Sequence, residues 1–178
     1  MITTMPETMK AIQIHKFGGP EVLQLDDVPR PEPGPRQVLV RIHAAGVNPV
    51  DWKIREGHLG RIPLPLIMGN DFSGEIEALG PDVTEFRVGE SVFGSVAEMS
   101  GSYAEYALAQ VSQIIEKPQG LEHIEAAAVP VASLTAWQAL FDEAKLRLGQ
   151  KVLIHAAAGG VGSFAVQFAK WKAAYVIG

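Results

Sequence analysis

The residues of this sequence that are best suited to chemistry form one glycine-rich turn. It reads Ala156-Ala157-Ala158-Gly159-Gly160-Val161-Gly162. A dinucleotide pyrophosphate requires a tight turn after a strand, a stretch of backbone free of side chains, and close packing of the next helix on that strand. Positions 157, 159 and 162 have the spacing of a G-x-G-x-x-G motif, with Ala157 in place of the first glycine. The turn therefore predicts a phosphate-binding corner at a helix N-terminus.

The segments on either side of this turn favour the same interpretation. An apolar strand is predicted over residues 151–155, an amphipathic helix over 163–172 and a second strand from Tyr175. A turn of this kind could also be a glycine-rich corner that binds nothing. Together the segments predict the start of a doubly wound nucleotide-binding fold, of which residues 151–178 supply about one βαβ unit. The acidic residue that contacts the ribose is expected about 20 residues further on, so these residues do not distinguish NAD from NADP.

The part of the chain before residue 120 carries short, β-like segments punctuated by glycine and proline. Strands are predicted over residues 10–15, 38–44, 71–79, 91–96, 102–108 and 114–117. A helix is predicted over residues 122–129, ending at Pro130, and a second helix is predicted to be capped by Ser133. This order predicts a compact all-β domain followed by an α/β domain, a mixed fold that is mainly β in its first part.

Composition limits the classes of function that the chain can serve. Its 178 residues carry a formal net charge of −5, without the basic excess of a nucleic-acid-binding face. It has no cysteine, which excludes disulfides, thiolate nucleophiles and zinc sites built on cysteine. No long apolar run and no signal-peptide pattern are present. We therefore expect a cytoplasmic protein that binds neither nucleic acid nor membranes, with residues 1–8 as a disordered extension.

Seven segments in order resemble the medium-chain dehydrogenase/reductase superfamily, and more closely its zinc-independent quinone oxidoreductase and enone reductase branch. They are Met9-Lys10-Ala11-Ile12, Gly18-Gly19-Pro20-Glu21-Val22-Leu23, Ala45-Gly46-Val47-Asn48-Pro49-Val50-Asp51, Gly69-Asn70-Asp71-Phe72-Ser73-Gly74, Gly101-Ser102-Tyr103-Ala104-Glu105-Tyr106, Leu134-Thr135-Ala136-Trp137 and the glycine-rich turn. The resemblance implies a GroES-like β-barrel catalytic domain over residues 9–130. It also implies a linking helix and the start of a Rossmann-type dinucleotide-binding domain over residues 131–178. Relatives are longer, so the chain is expected to be C-terminally truncated.

The resemblance also bears on metal binding. Zinc-dependent relatives have a cysteine ligand where this chain has Asn48, and a histidine ligand where it has Asn70. An amide is a poor zinc ligand beside thiolate and imidazole. The five histidines are scattered without an i, i+4 pair and are interpreted as ordinary polar or packing residues. No catalytic zinc and no other metal are expected.

The activity implied by the resemblance is NAD(P)H-dependent transfer of hydride to a quinone or to an α,β-unsaturated carbonyl, an enone or enal. Such acceptors are already electrophilic, so the protein must mainly position the reactants and stabilise the developing enolate charge. Asn48 is expected beside the nicotinamide and the substrate, with Asp51 and Lys53 as catalytic candidates for polar contacts or a water-mediated proton path. Cofactor contacts are expected from Asn48, Thr135, Ala158, Gly159, Gly160, Val161, Gly162 and Gly178. NADP(H) is favoured over NAD(H), and a homodimer is expected for the full-length form.

Plainer roles stay open for several of these residues. Asn48 before Pro49 could form an Asx turn, and Thr135 could cap a helix. Asp51 and Lys53 could be solvated or ion-paired.

Two further expectations concern the surroundings of the candidate site. Tyr103 is interpreted as strand packing rather than as an acid catalyst. Ala173 stands where relatives commonly have a glycine, so the helix before it is expected to run on or to end without a left-handed cap. The alternative functions are a zinc-free alcohol or enoyl-thioester reductase, a non-catalytic nucleotide-binding protein, and an inactive fragment.

Overall fold

The computed structural model describes residues 8–60, 62–98 and 100–178, which divide into two compact units. The first unit ends at Ala128 and the second runs from Val129 to Gly178. The extension expected over residues 1–8 lies outside the described residues, apart from Thr8, which begins the first strand. The assignment of residues 9–130 to a catalytic domain and of residues 131–178 to a cofactor domain stays a prediction.

Antiparallel sheets build the first unit. Its described strands are β1 (Thr8–Ile14), β2 (Leu23–Pro29), β3 (Gln37–Ala45), β4 (Leu66–Ile67), β5 (Asp71–Leu79), β6 (Ser91–Ser95), β7 (Tyr106–Gln110) and β8 (Ile114–Glu116). The larger sheet has the strand order β7-β3-β5-β6-β8 and the smaller one the order β2-β1-β4. A bridge between Ala11 and Ala104 links β1 to the segment before β7.

One hydrophobic cluster of this unit is formed by side chains from all five strands of the larger sheet. Val38, Val40, Phe72 and Val92 are fully buried in one cluster. The bounds predicted for residues 71–79 match β5.

The strand predicted over residues 102–108 is displaced in the structure. The backbone N–H groups of Tyr103 and Glu105 donate to the carbonyls of Met68 and Lys10 instead of to β3. The segment before β7 therefore runs beside β1 and Met68, it keeps one bond to the larger sheet from the Ile42 N–H to the Glu105 carbonyl, and β7 begins only at Tyr106.

A short helix, α1 (Pro49–Arg55), follows β3 and is missing from the sequence-based prediction. Asn48 has extended backbone angles and occupies the N-cap, Pro49 is the first helical residue, and the backbone N–H of Asn48 donates to the Asp51 carboxylate at 2.7 Å. Proline is tolerated at this position because the first N–H groups of a helix have no partner within it. Asn48 is thus a helix N-cap rather than part of an isolated Asx turn.

The helix predicted over residues 122–129 is shorter, because α2 spans His123–Ala126. His123 packs its ring on that of His43 in β3, with centroids 4.4 Å apart. The hydroxyl of Ser73 donates to the Val92 carbonyl at 3.1 Å, so its oxygen accepts from Nδ1–H of His123 at 2.8 Å. Burial and then the neighbouring His43 and Lys117 lower the pKa of His123, while the carboxylates of Glu122 and Glu75 oppose them.

We expect the free energy of unfolding to fall as the pH is lowered through about 6.5, the pKa of a histidine in an unfolded chain. Because the pKa of His123 is lowered in the folded protein, the unfolded chain binds the proton first as the pH falls. The contribution of His123 to the free energy of unfolding is therefore present above about pH 6.5 and is lost below it. Denaturant unfolding at several pH values between about 5 and 8 measures how the free energy of unfolding changes with pH. His123→Asn keeps a donor for Ser73 and should flatten the slope, whereas the exposed His58→Asn should not; equal slopes in both variants would refute the assignment.

Pro130 begins a helix instead of ending one. Helix α3 spans Pro130–Trp137 and continues into a π-helical segment, Gln138–Glu143. Ser133 lies inside α3 and its hydroxyl donates to the Pro130 carbonyl at 3.3 Å, so the prediction that Ser133 caps the helix is wrong. The capping alternative for Thr135 is wrong for the same reason, since its hydroxyl donates to the Val131 carbonyl at 2.7 Å.

The rest of the second unit is one βαβ unit. Strands β9 (Lys151–Leu153) and β10 (Tyr175–Ile177) pair in parallel and are connected through helix α4 (Gly160–Trp171). Ala165 and Ala169 of α4 are buried in a cluster with Ala136 and Leu140. These elements confirm the strand, turn, helix and strand order predicted for this segment.

The end of α4 differs from the expectation for Ala173. This residue adopts a left-handed conformation with φ of 55°. The Ala173 N–H donates to the Lys170 carbonyl at 2.8 Å, and the Ala174 N–H donates to the Ala169 carbonyl at 2.9 Å, the pair of bonds of a Schellman motif. The helix therefore has a left-handed cap on a non-glycine residue, a conformation that costs about 1–2 kcal/mol.

Candidate functional site

One buried carboxylate organises the polar residues around the start of β5. Asp71 is fully buried, and its Oδ2 accepts from Nδ2 of Asn48 at 3.0 Å. Its Oδ1 accepts from Nδ2 of Asn70 at 2.9 Å and from the Ser95 hydroxyl at 3.4 Å. The β3–β5 and β5–β6 pairings bring these residues together from three segments of the chain. The two asparagines singled out from the sequence thus converge on Asp71.

The carboxylate determines which end of each amide faces it. An ionised carboxylate only accepts hydrogen bonds, so both amides turn their NH2 groups toward Asp71. Nδ2 of Asn70 also donates to Ser95 at 3.2 Å. The amide oxygens of Asn48 and Asn70 therefore point away from Asp71, and these oxygens can only accept. The cluster of Asn48, Asn70, Asp71 and Ser95, here called the amide cluster, leaves the amide oxygens on the side away from the Asp71 carboxylate.

Asp51 is a second buried carboxylate, 5% exposed, at the first turn of α1. Its Oδ2 accepts from the Asn48 backbone and from the Tyr103 hydroxyl at 2.9 Å. Burial, followed by the hydrogen bond and the negative charge of Asp51, raises the pKa of Tyr103. Tyr103 therefore stays protonated and holds Asp51 in place.

The sequence interpretation missed the contact between Tyr103 and Asp51, since it treated Tyr103 as strand packing. No local pattern signals it, because the two residues are 52 positions apart. The role of Asp51 at the start of α1 did have a signal, the Asn-Pro-x-Asp pattern of a helix N-terminus.

Lys53 is not brought into this arrangement. Its side chain is exposed in the last turn of α1, and its ammonium lies 5.8 Å from the centroid of the Trp52 ring. Among the three catalytic candidates from the sequence, Asn48 and Asp51 are joined by a hydrogen bond, and Lys53 stands apart from them.

A cavity of about 330 Å³ lies in the first unit beside Asn70 and Asp51. Its apolar wall comes from α1, β4 and the residues that follow β4 and β6. The lining residues are Asp51, Ile54, Leu66, Ile67, Met68, Gly69, Asn70, Val96, Ala97, Glu98, Ser100 and Gln113. The cavity combines apolar surface with a few polar groups, as small-molecule sites do.

The donor set of this region does not suit a metal ion. In residues 8–60, 62–98 and 100–178, no three His, Cys, Asp or Glu side chains are grouped so that they could hold one. At the two positions compared with zinc ligands, the amide nitrogens of Asn48 and Asn70 are turned toward Asp71. A site free of zinc stays a prediction that rests on this amide chemistry.

The glycine-rich turn in the second unit forms a tight corner between β9 and α4. Ala156 has a left-handed conformation with φ of 53°, and its carbonyl accepts from the Gly159 N–H at 2.9 Å. Gly159 is the N-cap of the twelve-residue helix α4. The first N–H groups of such a helix have no partner within it and carry the positive end of its dipole.

Two glycines of this corner have different surroundings. A Cβ built on Gly162 would overlap the Ala156 carbonyl oxygen and lie 2.8 Å from the Ala157 Cα, so the first turn of α4 packs on the backbone of residues 156–157 too closely for a side chain. A Cβ on Gly160 would meet no atom within 4 Å. The corner thus has a tightly packed inner side and an open outer side, which fits an anionic group approaching the backbone.

The other cofactor candidates of the second unit lie on its surface. Ala158 and Val161 are exposed beside the corner. Gly178 is also near it, because a Cβ there would be 2.7 Å from the Ala157 Cβ. Thr135 is exposed on α3.

Comparison with known proteins agrees with the fold. Residues 34–119 match the model of the alcohol dehydrogenase GroES-like domain. Quinone oxidoreductase from Homo sapiens is 41% identical over 179 residues, covering 99% of this chain and 54% of that protein. The chain therefore spans about half the length of the curated relatives that it matches. The GroES-like fold class predicted from the sequence is confirmed.

Solved structures give the same result. The quinone oxidoreductase from Coxiella burnetii has a TM-score of 0.85 at 43% identity, covering 95% of this chain and 55% of that one. A mycobacterial protein complexed with NADPH has a TM-score of 0.84 at 34% identity, covering 94% of this chain and 50% of its own. Within the described residues, no helix is long and apolar enough to cross a membrane.

Proposed function

Because the chain belongs to the quinone oxidoreductase branch of the medium-chain dehydrogenase/reductase superfamily, we propose that it serves NAD(P)H-dependent hydride transfer to a quinone or an α,β-unsaturated carbonyl. The observation that carries this proposal is the glycine corner, with its packed Gly162, its open Gly160 and the free N-terminus of α4. In this proposal the corner holds the pyrophosphate through Ala158, Gly159, Gly160, Val161 and Gly162.

The bound cofactor would supply the hydride, and NADP(H) is proposed over NAD(H). A structural relative solved with NADPH supports this choice. Thr135 and Gly178 are proposed as further cofactor contacts. Because a quinone is reduced by hydride plus a proton, the protein must also allow solvent protons to reach the acceptor oxygen.

The first unit is proposed to serve the acceptor without zinc. Asp71 accepts from the side-chain amide of Asn48, and Asp51 accepts from the backbone N–H of Asn48. Both the side chain and the backbone of Asn48 are therefore held in place. Asn48 would position a ligand through the amide N–H that is not donated to Asp71. Asp51 is proposed as the polar contact or proton-path residue, and Lys53 stays a candidate at the surface. A cytoplasmic location and a homodimeric full-length form remain part of the proposal.

Oxidation of NADPH, followed by the loss of its absorbance, tests the proposal with 1,4-benzoquinone and with an alkenal as acceptors. Activity that survives a chelator is expected, because the residues at positions 48 and 70 are amides. Alcohol oxidation that is lost with the chelator would overturn the zinc-free mechanism. Dinucleotide binding without turnover across a panel of acceptors would favour a non-catalytic nucleotide-binding protein.

A further inference from the structure

A second cavity, of about 360 Å³, lies in the second unit between the π-helical segment that follows α3 and the C-terminal end of α4. Its described lining residues are Trp137, Phe141, Lys145, Leu146, Trp171 and Lys172. Four of them are apolar, two are lysines and none is acidic. Because α4 has twelve residues, this cavity, here called the aromatic cavity, lies about 18 Å from the glycine corner at the other end of the helix.

The aromatic side chains form a wall that the unit leaves partly uncovered. The Trp137 ring packs edge to face against Phe141, with centroids 4.6 Å apart. The Trp171 ring lies 6.1 Å from that of Trp137 and is tilted from it by 34°. Trp171 is nevertheless 70% exposed and Trp137 is 40% exposed. Both indoles therefore keep free surface on which a planar ring can stack.

The two lysines place positive charge beside this wall. The Lys172 ammonium lies 6.0 Å from the centroid of the Trp171 ring, and Lys145 follows the π-helical segment with a left-handed φ of 51°. Neither lysine has an acidic partner within 4 Å in the part of the chain that the structure describes. The acidic residues nearest in sequence, Asp142 and Glu143, are exposed and do not line the cavity. The cavity therefore favours an anion, although the net charge of the chain is −5.

We propose that the aromatic cavity binds a planar aromatic carboxylate, whose rings stack on Trp171 and Trp137 and whose carboxylate lies beside Lys145 and Lys172. The volume is at the lower end of the range for small-molecule sites and suits two fused rings. Stacking alone would accept any flat ring, and the lysines alone would accept any anion, so the combination selects molecules with both features. A second copy of the chain docked through the same surface is disfavoured, because it would bring two more lysines to it.

This site is independent of the proposed function, since no residue of the glycine corner or of the amide cluster lines it. A protein that never oxidises NADPH would refute the proposed function and leave the aromatic cavity as argued.

Titration of the whole chain with three probes, followed by NMR of the indole N–H signals, tests the proposal. 2-Naphthoate has fused aromatic rings and a charge, 2-naphthamide lacks the charge, and decahydro-2-naphthoate keeps the charge and lacks the aromatic rings. 2-Naphthoate is expected to bind about fivefold more tightly than either of the others, the effect of exposed ion pairs or of one ring stack. The signals of Trp137 and Trp171 should shift, and that of Trp52, in the first unit, is the internal reference. Equal binding of the three probes, or shifts that spare Trp137 and Trp171, would overturn the proposal.

Lysine variants test the charge preference. Lys145→Met and Lys172→Met keep an apolar stem and remove the charge. Each should weaken 2-naphthoate binding about threefold and leave 2-naphthamide binding unchanged. Lys151→Met is the matched control and should change neither affinity, because its ammonium lies 6.0 Å from the Tyr175 ring, outside the cavity. Lysines that served only the helix ends would leave the preference for the anion intact, and that result would contradict the proposal.

Trp171→Leu tests the stacking. The exposed position of Trp171 should allow the fold to be retained, which unfolding curves check. Binding of both naphthyl probes should weaken about fivefold with decahydro-2-naphthoate unchanged; an equal loss for all three probes would refute stacking. A Trp171 signal that moves with protein concentration in the absence of a probe would show that a second copy covers this surface. Displacement of 2-naphthoate by NADPH would place the probe at the glycine corner, and either result would refute the proposal.

Discussion

Gly162→Ala is expected to destabilise the second unit by about 3 kcal/mol and to abolish dinucleotide binding at the glycine corner. The added methyl group would overlap the Ala156 carbonyl oxygen, which is backbone and cannot swing aside. Relief requires the start of α4 to move away from residues 156 and 157 of the turn, and this movement also displaces the N–H groups at the start of the helix. Denaturant unfolding measures the first effect, and NADPH fluorescence on titration measures the second.

Gly160→Ala is the matched control, two residues earlier in the same helix. No atom lies within 4 Å of its added Cβ, so stability should change by less than about 0.5 kcal/mol. Dinucleotide binding should nevertheless weaken, because the methyl group stands on the open side of the corner. A Gly162→Ala variant as stable as the wild-type chain would show that α4 does not pack closely on the turn at Ala156. Unaltered binding in Gly160→Ala would place the phosphates elsewhere.

Asp71→Asn is expected to lower the free energy of unfolding by about 2–3 kcal/mol, the size of hydrogen bonds to a buried charged group. An amide at this position offers one oxygen where two oxygens now accept from Asn48, Asn70 and Ser95. Its NH2 group would face another NH2 group, so one asparagine must turn over. Denaturant unfolding gives the stability, and the side-chain amide signals of Asn48 and Asn70 report the reorientation.

Glu75→Gln provides the comparison on the same strand. Glu75 forms a partly exposed ion pair with Arg41 at 3.0 Å, and such pairs contribute about 0.2–1 kcal/mol. A loss in Asp71→Asn no larger than in Glu75→Gln, with unshifted amide signals, would contradict the organising role of Asp71.

Sequence patterns predicted the parts of the fold that are determined locally. Strand β5 begins and ends at the predicted residues because an apolar, alternating run is bounded by Gly69 and Gly80. The βαβ unit is predicted in order because its glycine turn lies between an apolar strand and an amphipathic helix, which a second apolar strand follows. Helix starts at proline were misjudged twice, at Pro49 and Pro130, since proline breaks a helix interior but is accepted in its first turn.

The candidate site shows what such patterns leave out. Asn48 and Asp71 were both in the quoted motifs, yet their hydrogen bond depends on the register of β3 and β5, which shifts at two irregularities. Tyr103 reaches Asp51 only because its segment leaves the larger sheet to follow Met68. These contacts join residues that are far apart in the sequence and depend on how the strands pair. The spacing of residues within one segment therefore does not predict them. The left-handed Ala173 was missed because hydrogen bonding outweighed its backbone preference.

The carboxylate under the amide cluster has a thermodynamic consequence for molecular recognition. The terminal torsion of an asparagine side chain is soft, and a solvated amide samples both of its faces. Because Asp71 accepts from Asn48 and Asn70, the amide dipoles of both side chains are oriented before a ligand binds. The two asparagine side chains therefore lose little rotational freedom when a ligand binds. Their preference between donor and acceptor groups is set in the free protein.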